Sequence, residues 1–482
     1  MPDSHPSFLD FPPVTLDDWR AQAERELRGT PLARLRTRLH DGIELAPLYT
    51  PADRSPAAED ARAVLLAASK FTETRARPWR VVGEYRHPSP HAVHAALRAD
   101  GPQELSWLGA SLVLDHRLAA GFAPAGVATG LVLETLEDVA AVTPRDLVEA
   151  GCQSTIVAGC LAEPIIAALV GLSGSAAVRA DPLGAWARFG ALGIPVERAL
   201  AELPAAPEHG WIARASGVPY HDAGATPALE LALALTTALE YLRALVSRDV
   251  PLETAVQSVE LELAVDRDLF TSLAKLRAAR LLWARVLARC GAAATPVTIC
   301  ARGSWREQAR LDPESNLLRA TTQAFAAVVG GADELVVPPF DDAFGAGAGA
   351  FSRRIARNIQ LLLREEAHLD RVADPAGGSW YAESLTDQLA RAAWRHVQVI
   401  EEAGGVRSAL RAGAIQGWIA DADAEARARV GRAALAITGV NRYPQLGAPA
   451  FTPRRDPAPR PAEVNARVIP ISPGEAPRAS PG

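Results

Sequence analysis

From about residue 60 onward, short β-prone runs alternate with long helical patterns. The stretches "SLVLD" (Ser111 to Asp115), "STIVAG" (Ser154 to Gly159), "WIARAS" (Trp211 to Ser216), "VTICAR" (Val297 to Arg302) and "ELVVPPF" (Glu334 to Phe340) read as strands. Between them the apolar spacing is helical. "TPALELALALTTALEYLRALV" offers Thr226 as N-cap with Pro227 at the first helical position, and "DLFTSLAKLRAARLLWARVLARC" runs to a stop near Gly291. This repeated alternation predicts an α/β fold, a parallel sheet closed as a (β/α)8 TIM barrel, with an open doubly wound sheet as the alternative.

The flanks read differently. In "TLDDWRAQAERELRG", Thr15 is placed to cap a helix with Asp18 as its capping-box partner, and Gly29 to end it. "HDGIELAPLYT" (His40 to Thr50) is a turn followed by alternating apolar positions. The expected organisation is a helical arm and partner-contact segment over 1–50, the barrel over 51–405 and a helical extension over 406–443. A Pro-rich linker or disordered tail follows over 444–482.

Composition narrows the function classes. Hydrophobic residues make up 49% and charged residues 22%, ordinary globular usage. A net charge of -6 disfavours nucleic acid and acidic membrane surfaces as partners. No basic start with an apolar core opens the chain, and no apolar run approaches the roughly 18 residues of a span, so a cytoplasmic location is expected. Cys152, Cys160, Cys290 and Cys300 show no metal-ligand spacing, and His91 and His94 have no third ligand nearby, so no metal is expected. "FGAGAGAFS" (Phe344 to Ser352) lacks the Rossmann spacing and reads as a βα loop.

Candidate chemistry concentrates near "RVADPAGGSWYAESLTDQLARAAW" (Arg371 to Trp394). Gly377 and Gly378 permit a tight turn, and Ser384 with Asp387 reads as a capping box for the following helix. The continuous run from Phe351 to Trp394 reads RIARN, then Q-L, E-x-x-H and V-x-DP-x-GGS-x-Y-x-E-x-LT. It closely resembles the cobalamin-dependent acyl-CoA mutases, methylmalonyl-CoA mutase above all. "PLYT" at Pro47, the RPW of Arg77, Pro78 and Trp79, "DAGAT" at Asp222, "AKLRAARLLWA" at Ala274 and "ITGVNRYP" near the end follow in the family's order. The GGS of Gly377, Gly378 and Ser379 belongs to the same motif set. Glu365, Glu366 and His368 lie within the run and read as structural polar groups.

The resemblance also implies which positions matter, and here the chain departs from the pattern. Thr74 stands where catalytic members carry an aromatic wedge, and Pro219 stands where they carry a histidine that bonds the thioester carbonyl. His221, two residues on, is the rival candidate for that role. Ser258 and Glu260 replace an Arg and a Ser on the CoA ester, and Cys300 aligns with a further histidine. None of the histidines stands in the family's Asp-x-His-x-x-Gly cobalt-ligand motif. Together these imply a non-catalytic small subunit, with adenosylcobalamin and acyl-CoA held in a complex by a catalytic large subunit. The alternative is a substrate-binding subunit of a split mutase, with cobalamin supplied by a separate protein.

Overall fold

A computed structural model of the chain describes residues 14–53, 64–65, 79–85, 111–115, 128–132, 155–159, 177–344 apart from 191 and 193, and 350–444. The expected Pro-rich tail, Thr74, Arg77, Pro78, His91, His94, Cys152 and Cys160 lie outside the described residues.

Among the described residues, nine parallel strands close into a barrel, one more than the eight-strand expectation. In chain order they are β3 (Arg80–Tyr85), β4 (Ser111–Asp115), β5 (Ala128–Val132), β6 (Thr155–Gly159), β7 (Ala177–Ala180), β8 (Trp211–Ser216), β9 (Val259–Val265), β10 (Thr298–Gly303) and β11 (Glu334–Val336). Each pairs with its neighbour in sequence, and β11 closes on β3 through Glu334 opposite Arg80. A separate two-stranded antiparallel piece, β1 (Thr37–Arg38) with β2 (Glu44–Leu45), belongs to the N-terminal segment.

Helices pack on the outer face of β8 to β11, and others lie beyond that layer. The principal ones are α1 (Leu16–Glu26), α2 (Pro182–Phe189), α3 (Val218–Ala223), α4 (Pro227–Val246), α5 (Leu269–Cys290), α6 (Glu314–Val329), α7 (Ala350–Leu361), α8 (Trp380–Glu402), α9 (Gly405–Arg411) and α10 (Ala414–Gly431). Helix α4 starts as its sequence dictates: Thr226 accepts the Leu229 amide at 3.3 Å and Pro227 opens the first turn. Its Leu and Ala residues are buried nearly all round because it is wedged between the strands and α8. Helix α5 is capped by Asp268 and ends at Gly291 in the left-handed conformation. The predicted capping box of Thr15 and Asp18 is present on α1, yet no residue of that helix is buried.

One capping expectation fails. Helix α8 begins at Trp380, with Ser379 as its N-cap, so Ser384 lies inside the helix and Asp387 pairs with Arg391. The cause is a long-range contact that local propensity does not contain. Arg277 of α5, 1% exposed on its side chain, binds Glu383 at 2.9 Å and also pairs with Asp374, while Glu383 accepts the Gly378 amide. That anchor starts the helix early.

The top rim of the barrel is closed by α10, which crosses the turn between α3 and α4. Gly224 sits there at φ +120, and a Cβ at that position would stand 2.6 Å from the Cβ of Asp423. Backbone strain and overlap therefore act together. Gly224→Ala is expected to cost about 2 kcal/mol in urea unfolding; an unchanged midpoint would contradict this packing.

Candidate functional site

The strands alternate, and the alternation assigns the barrel interior. On β9, Val259, Leu261, Leu263 and Val265 join the helix-facing core, which leaves Glu260 and Glu262 on the inner face. By the same alternation, Arg179 of β7, Arg214 and Ser216 of β8, Cys300 and Arg302 of β10, Glu334 of β11 and Arg80 of β3 point inward. These side chains fill the described part of the axis with charge.

Glu260 is the centre of the lower layer. Its side chain is 0% exposed, and its two oxygens take Arg179 at 2.9 Å and Arg214 at 2.5 Å. Arg214 and Arg179 also approach Glu334, at 3.7 and 3.8 Å, and Glu334 pairs with Arg80. Burial would push the Glu260 carboxyl up, but the two guanidinium groups outweigh it and hold it below its ordinary range. In the layer above, Glu262 accepts the Ser216 hydroxyl at 2.6 Å and lies 3.5 Å from Arg214 and 3.9 Å from Arg302. Cys300 packs there with Val82 and Val336, and burial pushes its thiol up to about 12. A thiol raised in this way is not activated as a nucleophile.

A cavity of about 450 Å³ opens at the N-terminal ends of the strands. Arg80, Arg179, Glu260 and Glu334 line it, but Glu262, Cys300 and Arg302 of the next layer do not. Trp79 also lines this cavity, 5% exposed, with no hydrogen-bond partner on its indole nitrogen.

His221 belongs to a second buried cluster at the C-terminal rim. It is 3% exposed; its Nε2 lies 2.7 Å from the Ser304 hydroxyl and its Nδ1 3.5 Å from Glu230. Glu230 pairs with Lys275 and accepts the Ala264 amide at 2.7 Å. Burial opposes its charge, yet Lys275 and then His221 draw the carboxyl down to about 2. The site thus ties α3, α4, α5 and β9 together.

The remaining sequence candidates scatter. Pro219 lies in the first turn of α3, where a missing N–H costs nothing, and it is buried. Ser258 is the C-cap of the short helix Leu252–Gln257, with its hydroxyl on the Thr254 carbonyl at 2.7 Å, so it is engaged with that helix rather than with the axis charges. Gly377, Gly378 and Ser379 form the turn into α8, remote from His221 in the network of bonds. Glu365, Glu366 and His368 are exposed, the two glutamates inside a π-helical turn at Leu362–Glu366 and the histidine just after it. Arg179 and Arg214 were not legible as site residues. Only the alternation of "VELELAV", which puts two glutamates on one face of a strand, hints at cations opposite.

Among the described residues, no group of three or more His, Cys, Asp or Glu side chains could hold a metal ion, and no helix is long and apolar enough to cross a membrane.

The family model for methylmalonyl-CoA mutase matches residues 204–464. A Streptomyces virginiae protein named methylmalonyl-CoA mutase small subunit is 36% identical over 475 residues, covering 92% of this chain and 73% of that protein. A Mycobacterium tuberculosis protein named probable methylmalonyl-CoA mutase small subunit is 46% identical over 242 residues, 49% of this chain and 39% of its own length. A Rhizobium meliloti methylmalonyl-CoA mutase is 30% identical over 467 residues, 89% of this chain and 64% of its own.

Two outcomes follow from the buried charges. Glu260→Gln leaves Arg179 and Arg214 without their shared counter-charge and is expected to lose about 3 kcal/mol in urea unfolding at neutral pH; a loss within error would contradict the ion-pair assignment. The carboxyl of Glu230 sits at about 2 in the fold against an ordinary 4.5. Its stabilisation is complete above the ordinary value and drains away as pH falls through the folded one. The stability gap between wild type and Lys275→Met should therefore be widest at neutral pH and narrow below pH 4.5. A gap that stays constant down to the acid limit would reject the pairing.

Proposed function

The chain belongs to the methylmalonyl-CoA mutase family, and from that premise we propose that it acts as the small, non-catalytic subunit of a heterodimeric mutase. The barrel supports a catalytic large subunit that interconverts methylmalonyl-CoA and succinyl-CoA with adenosylcobalamin. The observation that carries the reading is the inward-facing cluster of Glu260, Arg179 and Arg214. A thioester lying along the axis would have to displace a carboxylate that two buried guanidinium groups hold, leaving uncompensated charge in the interior. Glu260 would also repel the phosphates and carboxylate of such a substrate.

His221 supports the same conclusion. Both ring nitrogens already face protein groups, Ser304 and Glu230, so the imidazole serves packing and polar satisfaction rather than a substrate carbonyl. No histidine of this sequence stands in an Asp-x-His-x-x-Gly segment, which fits cobalamin held by another chain. No chemical step is assigned to this chain. Cobalamin and acyl-CoA are assigned to the large subunit.

The N-terminal segment is the proposed contact with that subunit. Helix α1 buries none of its residues, and a helix of 11 residues is marginal alone in water. Its hairpin is nevertheless anchored on the barrel, because Asp41 accepts the Thr226 hydroxyl at 2.7 Å and approaches His396 at 3.3 Å. An anchored base with an unpacked helix fits an arm that completes its burial on a partner.

The deciding assay follows adenosylcobalamin-dependent conversion of methylmalonyl-CoA by this chain alone, by a large subunit alone, and by their mixture. The proposal expects no turnover by this chain alone, and co-elution with full activity in the mixture. Turnover by this chain with only a cobalamin-carrier protein added would establish the split-mutase alternative instead.

A further inference from the structure

A second cavity, about 410 Å³, lies between the N-terminal arm, the C-terminal rim of the barrel and α10. It is separate from the axis: of the side chains in the two buried clusters, only His221 reaches its wall. Its volume falls within the usual range for small-ligand sites.

Five carboxylates and four guanidinium groups line its wall. Asp41 is occupied by Thr226 and His396, Asp266 by the Ser272 hydroxyl and the Asp268 amide, and Asp268 by the Thr271 amide. Glu307 pairs with Arg267, and Asp423 takes both Arg306 and Arg427. Every carboxylate on the wall is therefore engaged by donors. Arg429 is different. Its guanidinium has one hydrogen-bond partner among the described residues, the Nε2 of His40, which accepts at 3.3 Å, and no carboxylate lies within ion-pair reach of it there. A half-buried guanidinium facing an imidazole, both on a cavity wall, lacks a planar anion to bridge them. The rest of the lining supplies an apolar surface from Leu39, Ile43, Leu389, Val430, Leu435 and Ile437.

We propose that this cavity binds an aliphatic monocarboxylate. The carboxylate takes forked hydrogen bonds from Arg429 and a third from His40, whose Nε2, the acceptor for Arg429 in this structure, becomes the N–H donor once the anion lies between them, while the alkyl chain lies on the apolar wall. Because His40 and Ile43 belong to the arm and Arg429 and Val430 to α10 and its end, the ligand bridges the two and stabilises the docked arm by binding only that state. The site uses neither the barrel axis nor the large subunit, and it stands whether or not the supporting role proposed above holds.

The test titrates the full chain calorimetrically with a straight-chain series from acetate to hexanoate, with butanol, butylamine and inorganic phosphate as comparison probes. The expected result is saturable one-to-one binding that tightens about two- to fourfold per added methylene until the wall is filled. Butanol and butylamine should bind at least about tenfold more weakly than butyrate. Arg429→Gln should remove that preference while leaving butanol unchanged, and butyrate should slow tryptic cleavage within 14–53 in the wild type only. Leu39→Ala, which keeps Arg429, should retain the carboxylate preference and lose the chain-length gain, so the test does not hang on one variant. Equal affinity for butyrate and butanol, tighter binding of phosphate than of butyrate, or no saturable binding at millimolar concentration would each overturn the proposal.

Discussion

The account depends on one buried carboxylate. Glu260 lies wholly inside the barrel and is shared between Arg179 of β7 and Arg214 of β8, so it joins three neighbouring strands along the inner face of the sheet. Charges in such a place are stable only as a set. Removing any member leaves the others without compensation, and admitting a ligand would do the same.

The helix layer and the rim follow from that fixed interior. The apolar positions of β9 and its neighbours are free to face outward onto α4 and α5, and the turn after β8 can carry His221 into a second closed cluster with Ser304, Glu230 and Lys275. His221, Glu230 and Lys275 each have a partner from the chain itself. What remains open lies at the edges: the cavity below the lower ion-pair layer, the cavity beside the arm, and the unpacked face of α1.

Much of the fold was legible in local pattern. Thr226 and Pro227 start α4, Gly291 ends α5, and "WIARAS" is a strand over the residues its alternation marks, because caps and period are properties of neighbouring residues. The start of α8 was not, because Arg277 lies more than a hundred positions from the turn it pins. The site divides the same way. Pro219 and Glu260 could be singled out from the motifs around them, whereas the pairing of Glu260 with Arg179 and Arg214 needs the strand register, which no single strand contains. The uncompensated Arg429 was equally hidden, since its solitude is defined by where the other carboxylates fold.

The most direct measurement is the equilibrium affinity of the isolated full chain for methylmalonyl-CoA and for free CoA, by calorimetry at neutral pH and moderate salt. The account predicts no saturable binding of either within the range where a competent large subunit saturates, because the axial charges are already matched. One-to-one binding of the thioester, weakened in a variant carrying Arg214→Met, would show that the axis admits substrate and that the ion pairs open for it, and would contradict the account at its centre.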